Sequence, residues 1–227
     1  MYCGTLGWVV QKSWDGRGEC VGFLSMRQGT RDRYGKEKGA FVSDPFRAIR
    51  RFWYSLRGQS GRRESIQRIQ PLRGKVSLLV VCYGNICRSP VVERMLRERL
   101  PRDRFRIRSC GLLPREGAVP PEGYLLEAKR FGLDLSGHHS RYISKTLVDW
   151  ATVIIIMDHK NLDLLQEFGP SAIEKAIWLG AWDPDGVLEI PDPFGKSPEE
   201  MRTILRRMER ASRNLAQTLS SPSRSLN

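Results

Sequence analysis

The sequence has few of the residues that bind metal ions or cross-link a secreted domain. Its 227 residues include three histidines and five cysteines, and we find no Cys/His cluster with the spacing of a zinc site. An odd and sparse set of cysteines does not build a disulfide framework, so we expect a reducing compartment in which thiols stay available for chemistry. We therefore predict no metal site and no cofactor.

Long apolar runs are also missing from the chain. No stretch approaches the ~20 consecutive apolar residues of a membrane-spanning helix. Residues 1–10 lack the basic region followed by a long apolar region that marks a signal peptide. Apolar residues make up 40% of the chain, which is ordinary for a globular protein with one good core. These observations predict a cytoplasmic protein.

Acidic residues are scarce in the first third of the chain. Residues 1–75 hold 16 Lys and Arg against 6 Asp and Glu, a net charge of +10, whereas residues 76–227 carry only +3. We predict a basic, largely irregular and mostly disordered extension over residues 1–74, with a short amphipathic helix near residues 45–57. Such a helix can bind an anionic membrane, nucleic acid or an acidic partner. The alternatives are a short helix on a disordered extension, or translated sequence upstream of the true start. The polar residues 58–74 are interpreted as a linker.

From Val76 onward, apolar strand-like runs alternate with helical patterns. The predicted strands are Val76–Val81, Phe105–Ser109, Ala151–Met157 and Ile177–Leu179. The predicted helices are Ser89–Leu100, Glu122–Phe131, Leu162–Phe168 and Glu199–Leu219. This alternation predicts an α/β fold, a single three-layer domain over residues 75–219 with a four-stranded parallel sheet flanked by helices. Residues 220–227 are predicted to be a flexible tail.

The loop after the first strand has the pattern of an anion site. Cys82 ends the strand, and Ser89 with Pro90 predicts a helix start in which Ser89 is the cap. Five residues separate Cys82 from Arg88, which lets the backbone N–H groups point inward at the helix N-terminus. The same field stabilises a thiolate. A thiolate nucleophile beside an anion held by arginine is an arrangement suited to phosphoryl transfer. We call residues 82–88 the anion loop.

The anion loop resembles the signature of the low-molecular-weight protein-tyrosine phosphatases. The matching stretches, in the family's order, are residues 82–90, 109–111, 138–141, 154–158 and 190–194. The resemblance spans about Lys75 to Leu219, and the stretch from Trp182 to Pro193 resembles the bacterial branch associated with exopolysaccharide and capsule export. It implies hydrolysis of phosphotyrosine through a cysteinyl-phosphate intermediate, without a metal.

The resemblance also implies a role for each site residue. Cys82 is the expected nucleophile, Arg88 the bidentate phosphate ligand, and Asp192 the general acid that later acts as a base. The expected phosphate- and substrate-binding residues are Tyr83, Gly84, Asn85, Ile86, Cys87, Ser89 and Phe194. The expected supports of the loop are Asn85, Ser109 and His138. Cys87 is expected to form a reversible disulfide with Cys82 under oxidant, or else to be an inert small residue; His139 and His159 are expected to be solvated.

Three alternatives to this function stay open. A thioredoxin-linked arsenate reductase needs further cysteines downstream, but the last one here is Cys110. Protein-arginine phosphatases resemble this loop but carry Thr at the position of Ile86. A phosphoprotein-binding adaptor would not need catalytic residues, whereas this chain keeps Cys82, Arg88 and Asp192. The predicted partner is a phosphotyrosyl protein, by resemblance a bacterial tyrosine kinase of polysaccharide export, and catalysis is expected to require no nucleic acid.

Overall fold

A computed structural model of the protein describes residues 8–14, 20–26 and 58–221. The chain divides into two units, Met1–Arg47 and Ala48–Asn227. In the first unit, strand β1 (Trp8–Trp14) pairs in antiparallel fashion with strand β2 (Cys20–Met26). The amphipathic helix predicted near residues 45–57 lies outside the described residues, as does most of the predicted tail.

The second unit contains the predicted parallel sheet. Its strands are β3 (Val76–Cys82), β4 (Phe105–Gly111), β5 (Val153–Ile156) and β6 (Ala176–Trp178). They are hydrogen-bonded in the order β4-β3-β5-β6, with all pairs parallel. The two central strands are buried along almost their whole length, which explains why both read as unbroken apolar runs. The α/β fold class is therefore confirmed.

Helices cover the sheet. They are α1 (Gly58–Ile69), α2 (Arg88–Arg99), α3 (Glu122–Arg130), α4 (Lys145–Trp150), α5 (His159–Leu165), α6 (Pro170–Glu174) and α7 (Pro198–Ser220), with 3-10 turns at Gln166–Phe168 and Leu179–Trp182. The longest, α7, begins with a capping box between Ser197 and Glu200 and buries one apolar stripe. Across the described ranges, no helix is long and apolar enough to cross a membrane.

Residues 58–74 are not a simple linker, so that interpretation is wrong. Helix α1 packs beside β6, the edge strand of the sheet. The Ser65 hydroxyl accepts a hydrogen bond from the backbone N–H of Trp178 at 3.1 Å, and Arg68 donates to the carbonyl oxygens of Ile173 and Ala176. Since an unpaired strand edge exposes backbone donors and acceptors, α1 satisfies groups that the sheet itself leaves open.

The order of the strands brings the site together. Strands β3 and β5 are adjacent and parallel, so their carboxyl ends meet at one edge of the sheet. Cys82 ends β3, and Asp158 follows β5 within two residues. In open parallel sheets this edge is where ligands bind.

Candidate active site

The anion loop turns back over the end of β3 through one residue in a left-handed conformation. Asn85 has a φ of 51°, a region that asparagine adopts more readily than most residues. The turn points the backbone N–H of Asn85 at Cys82, with N and Sγ 3.3 Å apart. Cys82 is buried. A backbone donor of the loop therefore faces the sulfur, as the sequence pattern predicts.

The hydroxyl group of Ser89 also faces the sulfur. Its Oγ lies 3.1 Å from Cys82 Sγ and 3.4 Å from the carbonyl oxygen of Cys110. The prediction that Ser89 caps the helix is wrong, because α2 begins one residue earlier, at Arg88, and Cys87 precedes it. The first turn of α2 thus includes Ser89, and its hydroxyl is directed at the candidate nucleophile.

Asn85 is the centre of a hydrogen-bond network that holds the loop. Its Nδ2 donates to the hydroxyls of Ser89 and Ser109, both at 2.9 Å. Its Oδ1 accepts from the backbone N–H of Arg141 at 2.9 Å, and its carbonyl oxygen lies 2.6 Å from His138 Nε2. Asn85 is fully buried, so each bond lost would cost about 1–3 kcal/mol. The structure brings Ser109 and His138 to this network.

Gly111 has a role in the loop that the sequence pattern did not reveal. A Cβ atom added there would lie 2.9 Å from the carbonyl carbon of Gly84 and 3.0 Å from the backbone N of Asn85. The backbone N–H of Leu112 also donates to the carbonyl oxygen of Cys82 at 3.1 Å. The end of β4 therefore lies directly against the loop, and only glycine leaves enough space there.

Arg88 joins the loop to two carboxylates. Its Nη1 pairs with Asp158 Oδ2 at 2.5 Å and donates to the carbonyl oxygen of Ile190 at 3.1 Å, while its Nη2 pairs with Asp192 Oδ2 at 2.8 Å. Burial by itself lowers the pKa of the Arg88 guanidinium, but the charges of Cys82 and the two aspartates outweigh burial and raise that pKa. Arg88 therefore stays a buried, fully charged donor.

Asp158 also belongs to the site, although the sequence analysis did not place it there. The sequence predicts it as a helix cap, and its Oδ1 does accept from the backbone N–H of Asn161 at 2.8 Å. Its second oxygen binds Arg88. The available signal was its position directly beyond a buried central strand, because that strand's neighbour carries Cys82 at the same edge.

Asp192 lies in a long irregular stretch, residues 183–194, which we call the acid segment. Its side chain is 44% exposed, and its Oδ1 accepts from the backbone N–H of Phe194 at 3.3 Å. The Phe194 side chain is itself exposed. The carboxylate thus reaches inward to Arg88 while remaining open to solvent, and an aromatic ring stands beside it at the mouth of the site.

The prediction that His159 is solvated is wrong. Its side chain is only 17% exposed. Its Nδ1 and its backbone N–H both contact Glu189 Oε1. The centroid of its ring lies 4.5 Å from the ring centroid of Trp178. His159 therefore ties the start of α5 to the acid segment. His139, in contrast, is exposed.

Cys87 is a buried free thiol within the loop. Burial raises its pKa well above the usual value, and the negative charges of Cys82 and Asp192 raise it further. Its carbonyl oxygen accepts from the Tyr124 hydroxyl at 3.3 Å, a contact that sequence reasoning missed. Cys87 is accordingly a neutral thiol, and its disulfide with Cys82 stays a prediction.

The remaining loop residues form the rim of the site. Tyr83, Gly84 and Ile86 are each partly exposed. The Lys160 ammonium lies 3.3 Å from the centroid of the Tyr83 ring, a cation–π contact. The structure therefore brings together every residue of the predicted loop, its supports and Asp192.

Comparisons with known proteins agree with this geometry. The family model for low molecular weight phosphotyrosine protein phosphatase matches residues 77–224. The chain is 36% identical over 143 residues to the low molecular weight protein-tyrosine-phosphatase Wzb of Escherichia coli K12, an overlap of 63% of this chain and 95% of the relative. It also resembles the solved structure of the tyrosine phosphatase AmsI of Erwinia amylovora, with a TM-score of 0.59 and 33% identity. The overlap covers 64% of this chain and 93% of AmsI. The solved structure of the YwlE arginine phosphatase of Geobacillus stearothermophilus is similar too, with a TM-score of 0.57 and 30% identity. The overlap covers 63% of this chain and 92% of YwlE.

Proposed function

The chain belongs to the low molecular weight phosphotyrosine protein phosphatases, and we propose that it hydrolyses phosphotyrosine in proteins with Cys82, Arg88 and Asp192 as its catalytic residues. One observation supports this proposal most directly. Arg88, at the end of the anion loop, bonds to Asp192, which lies 104 residues later in the chain. A nucleophile, an anion ligand and a proton donor are thereby brought to one place.

Arg88 is suited to hold the phosphoryl group. Its Nε is buried and has no hydrogen-bond partner among the described residues. An orphaned buried donor is costly unless a ligand uses it. A phosphate dianion at the loop would accept from this N–H and from the backbone N–H groups at the start of α2. The site thus replaces a metal ion with arginine and backbone donors.

The proposed reaction has two steps. In the first, the Cys82 thiolate attacks phosphorus, a P–S bond forms, and the P–O bond to the tyrosine ring breaks while Asp192 donates a proton to the leaving oxygen. In the second, the Asp192 carboxylate takes a proton from water, the oxygen of that water attacks phosphorus, and the sulfur leaves as a thiolate. Hydrogen bonds from Ser89 and Asn85 stabilise the sulfur each time it carries charge.

The rim favours an aromatic phosphoester. The exposed ring of Phe194 can pack on a substrate ring, and the apolar side chain of Ile86 lies in the loop. The similarity to an arginine phosphatase makes phosphoarginine the second candidate substrate. Phosphotyrosyl and phosphoarginyl peptides of the same sequence would decide between them, and we expect much faster release of phosphate from the tyrosyl peptide.

The proposed physiological substrate is an autophosphorylating tyrosine kinase of polysaccharide export. The resemblance of the stretch from Trp182 to Pro193 to the branch associated with exopolysaccharide and capsule export supports this proposal. An Asp192→Ala variant, which we expect to retain bound phosphoprotein, would trap the substrate from a phosphotyrosyl proteome. For the basic extension we propose an anionic partner, and the net charge of +10 over residues 1–75 supports it.

The central test is turnover of p-nitrophenyl phosphate. Cys82→Ser should abolish it, and Asp192→Ala should slow it by about 100-fold. Cys110→Ala is the matched control, because Cys110 is a buried cysteine outside the loop that contributes only its carbonyl group to the site. Full activity in Cys82→Ser would refute the assignment.

A further inference from the structure

The acid segment is anchored to α7 by a buried carboxylate. Asp183, at the start of the segment, is fully buried. Its Oδ2 lies 2.6 Å from Arg207 Nε, and its Oδ1 lies 3.0 Å from Arg210 Nη2. A buried carboxylate is costly unless it is paired and hydrogen-bonded, so the position of Asp183 is tightly determined by these two arginines.

Arg207 also bonds to the backbone of the same segment. Its Nη1 donates to the carbonyl oxygen of Glu189 at 3.2 Å, and its Nη2 donates to the carbonyl oxygen of Val187 at 3.0 Å. The planar guanidinium thus uses three of its donors at once. This geometry determines how far residues 187–189 lie from α7.

The residue after Glu189 connects this anchor to the catalytic groups. The backbone N–H of Ile190 donates to the carbonyl oxygen of Met157 at 2.8 Å, just beyond β5. The carbonyl oxygen of Ile190 accepts from Arg88. Ile190 is therefore bonded through both of its peptide groups, and a shift of Glu189 would disturb both bonds.

We propose that Arg207 is a positioning residue for the general acid. Pro191 and Pro193 flank Asp192 and restrict φ on both sides of it, so a displacement of residues 187–189 is carried on to the Asp192 carboxylate. Arg207 acts through this backbone and touches neither the sulfur nor the phosphate. The inference rests on the role proposed above for Asp192.

The test compares two substrates with different leaving groups in the full chain. Phenolate, whose conjugate acid has a pKa near that of tyrosine, about 10, needs the proton of the acid when it leaves. The p-nitrophenolate anion is far more stable and needs it less. We define the leaving-group ratio as kcat/KM for phenyl phosphate divided by kcat/KM for p-nitrophenyl phosphate. A misplaced acid lowers this ratio, whereas a loss of folded protein lowers both values equally.

The informative variants are Arg207→Met and Arg207→Lys. We expect both to lower the leaving-group ratio by about tenfold. Methionine has no donor, and the three donors of lysine lie on one nitrogen, whereas Arg207 meets its three partners with three separate nitrogens. Lysine keeps a positive charge beside Asp183, so the Tm of Arg207→Lys should stay near that of the wild type. A lower leaving-group ratio in this variant would then report positioning of the acid and not loss of stability. Arg213→Met is the control: Arg213 lies on the same helix, is half exposed and pairs with Glu209, and its loss should leave the ratio unchanged.

Asp192→Asn separates the two ways in which the inference can fail. If Asp192→Asn lowers the ratio and both Arg207 variants keep the wild-type value, Arg207 does not position the acid. If Asp192→Asn also keeps the wild-type value, Asp192 is not the acid and both proposals are overturned.

Discussion

The anion loop and the acid segment supply the two halves of one site, but they are held in different ways. The loop joins a strand directly to a helix, and its network centres on Asn85, with partners on α2, on β4 and in the stretch from His138 to Arg141. The acid segment is irregular. Its bonds come from several elements: from α7 through Arg207, from Met157 just beyond β5, from His159 at the start of α5, and from Arg88 of α2.

This difference predicts two kinds of mutational effect. Damage to the loop misplaces the sulfur and the phosphate donors together, so every substrate should react slowly. Damage to the supports of the acid segment should misplace only Asp192, the proposed proton donor, so substrates with poor leaving groups should react more slowly than others. The two halves can therefore be perturbed separately.

Among changes to residues that support the two halves, the largest effect is expected from Gly111→Ala. The added methyl group would overlap the backbone of the loop at Gly84 and Asn85, and a misplacement of about 1 Å in such a site costs about 100-fold in rate. Both kcat/KM values should fall together, leaving the leaving-group ratio near that of the wild type.

Gly123→Ala is the matched control, because within the described structure the added atom has nothing within 4 Å. Circular dichroism would show whether Gly111→Ala is folded. Normal turnover of p-nitrophenyl phosphate in folded Gly111→Ala would contradict the close approach of β4 to the loop.

A smaller effect is expected when the chain is shortened to begin at residue 75. Such a chain loses α1, with the bonds from Ser65 and Arg68 and the burial of Ile69. We expect a loss of about 3 kcal/mol in the free energy of unfolding and about 10 °C in Tm. Helix α1 also contacts the acid segment, since a Cβ on Gly61 would lie 2.9 Å from Leu188 Cδ1, so the leaving-group ratio should fall about twofold.

A chain that begins at residue 58 is the control for this prediction. It keeps α1, so its Tm, measured by thermal unfolding, should lie about 10 °C above that of the chain that begins at residue 75. Equal Tm values for the chains beginning at 58 and 75 would show that α1 adds nothing to the catalytic domain.

The smallest effect is expected for Cys87, the second thiol of the loop, which should not react with an alkylating reagent. Burial, with the charges of Cys82 and Asp192 added, raises the pKa of Cys87, and burial likewise raises the pKa of Cys110. Iodoacetate at pH 7 should therefore leave Cys87 and Cys110 unmodified. We expect it to modify Cys82, the proposed nucleophile, whose sulfur accepts a hydrogen bond from the backbone N–H of Asn85. Fragmentation mass spectrometry would locate the adduct, and inorganic phosphate should slow its formation. An adduct on Cys87 at the rate of Cys82 would contradict this difference.

The larger elements of the fold could be predicted from the sequence, but several helices could not. The four strands and the long helices have apolar patterns long enough to detect. Helices α4 and α6 have only six and five residues, which is too short for a helical period to appear. Helix α1 is polar, and it packs against β6 with small side chains such as Gly61 and Ser65. Its stability comes from a strand over 100 residues away, so its own composition misled the prediction.

In the site, the contiguous residues were predictable and the distant pairings were not. Cys82, Arg88 and the residues between them form one short pattern between a strand and a helix. The strand pattern could have placed Asp158 at the same sheet edge as Cys82 but not against Arg88, and Arg207 was just one polar residue of an amphipathic helix. Both form their bonds with residues that the fold brings from elsewhere in the chain. Sequence spacing contains no signal for such a pairing.

The sequence by itself determined the anion loop and the parallel sheet, because loop length, chain direction and apolar periodicity act over a few residues at a time. Only the tertiary structure decided how the proposed proton donor is held, because Asp192 lies 110 positions after Cys82 in the chain. Its place depends on β5, α7 and the charged pairs between them. Proximity across such a distance follows from packing of the whole domain, which no local pattern encodes.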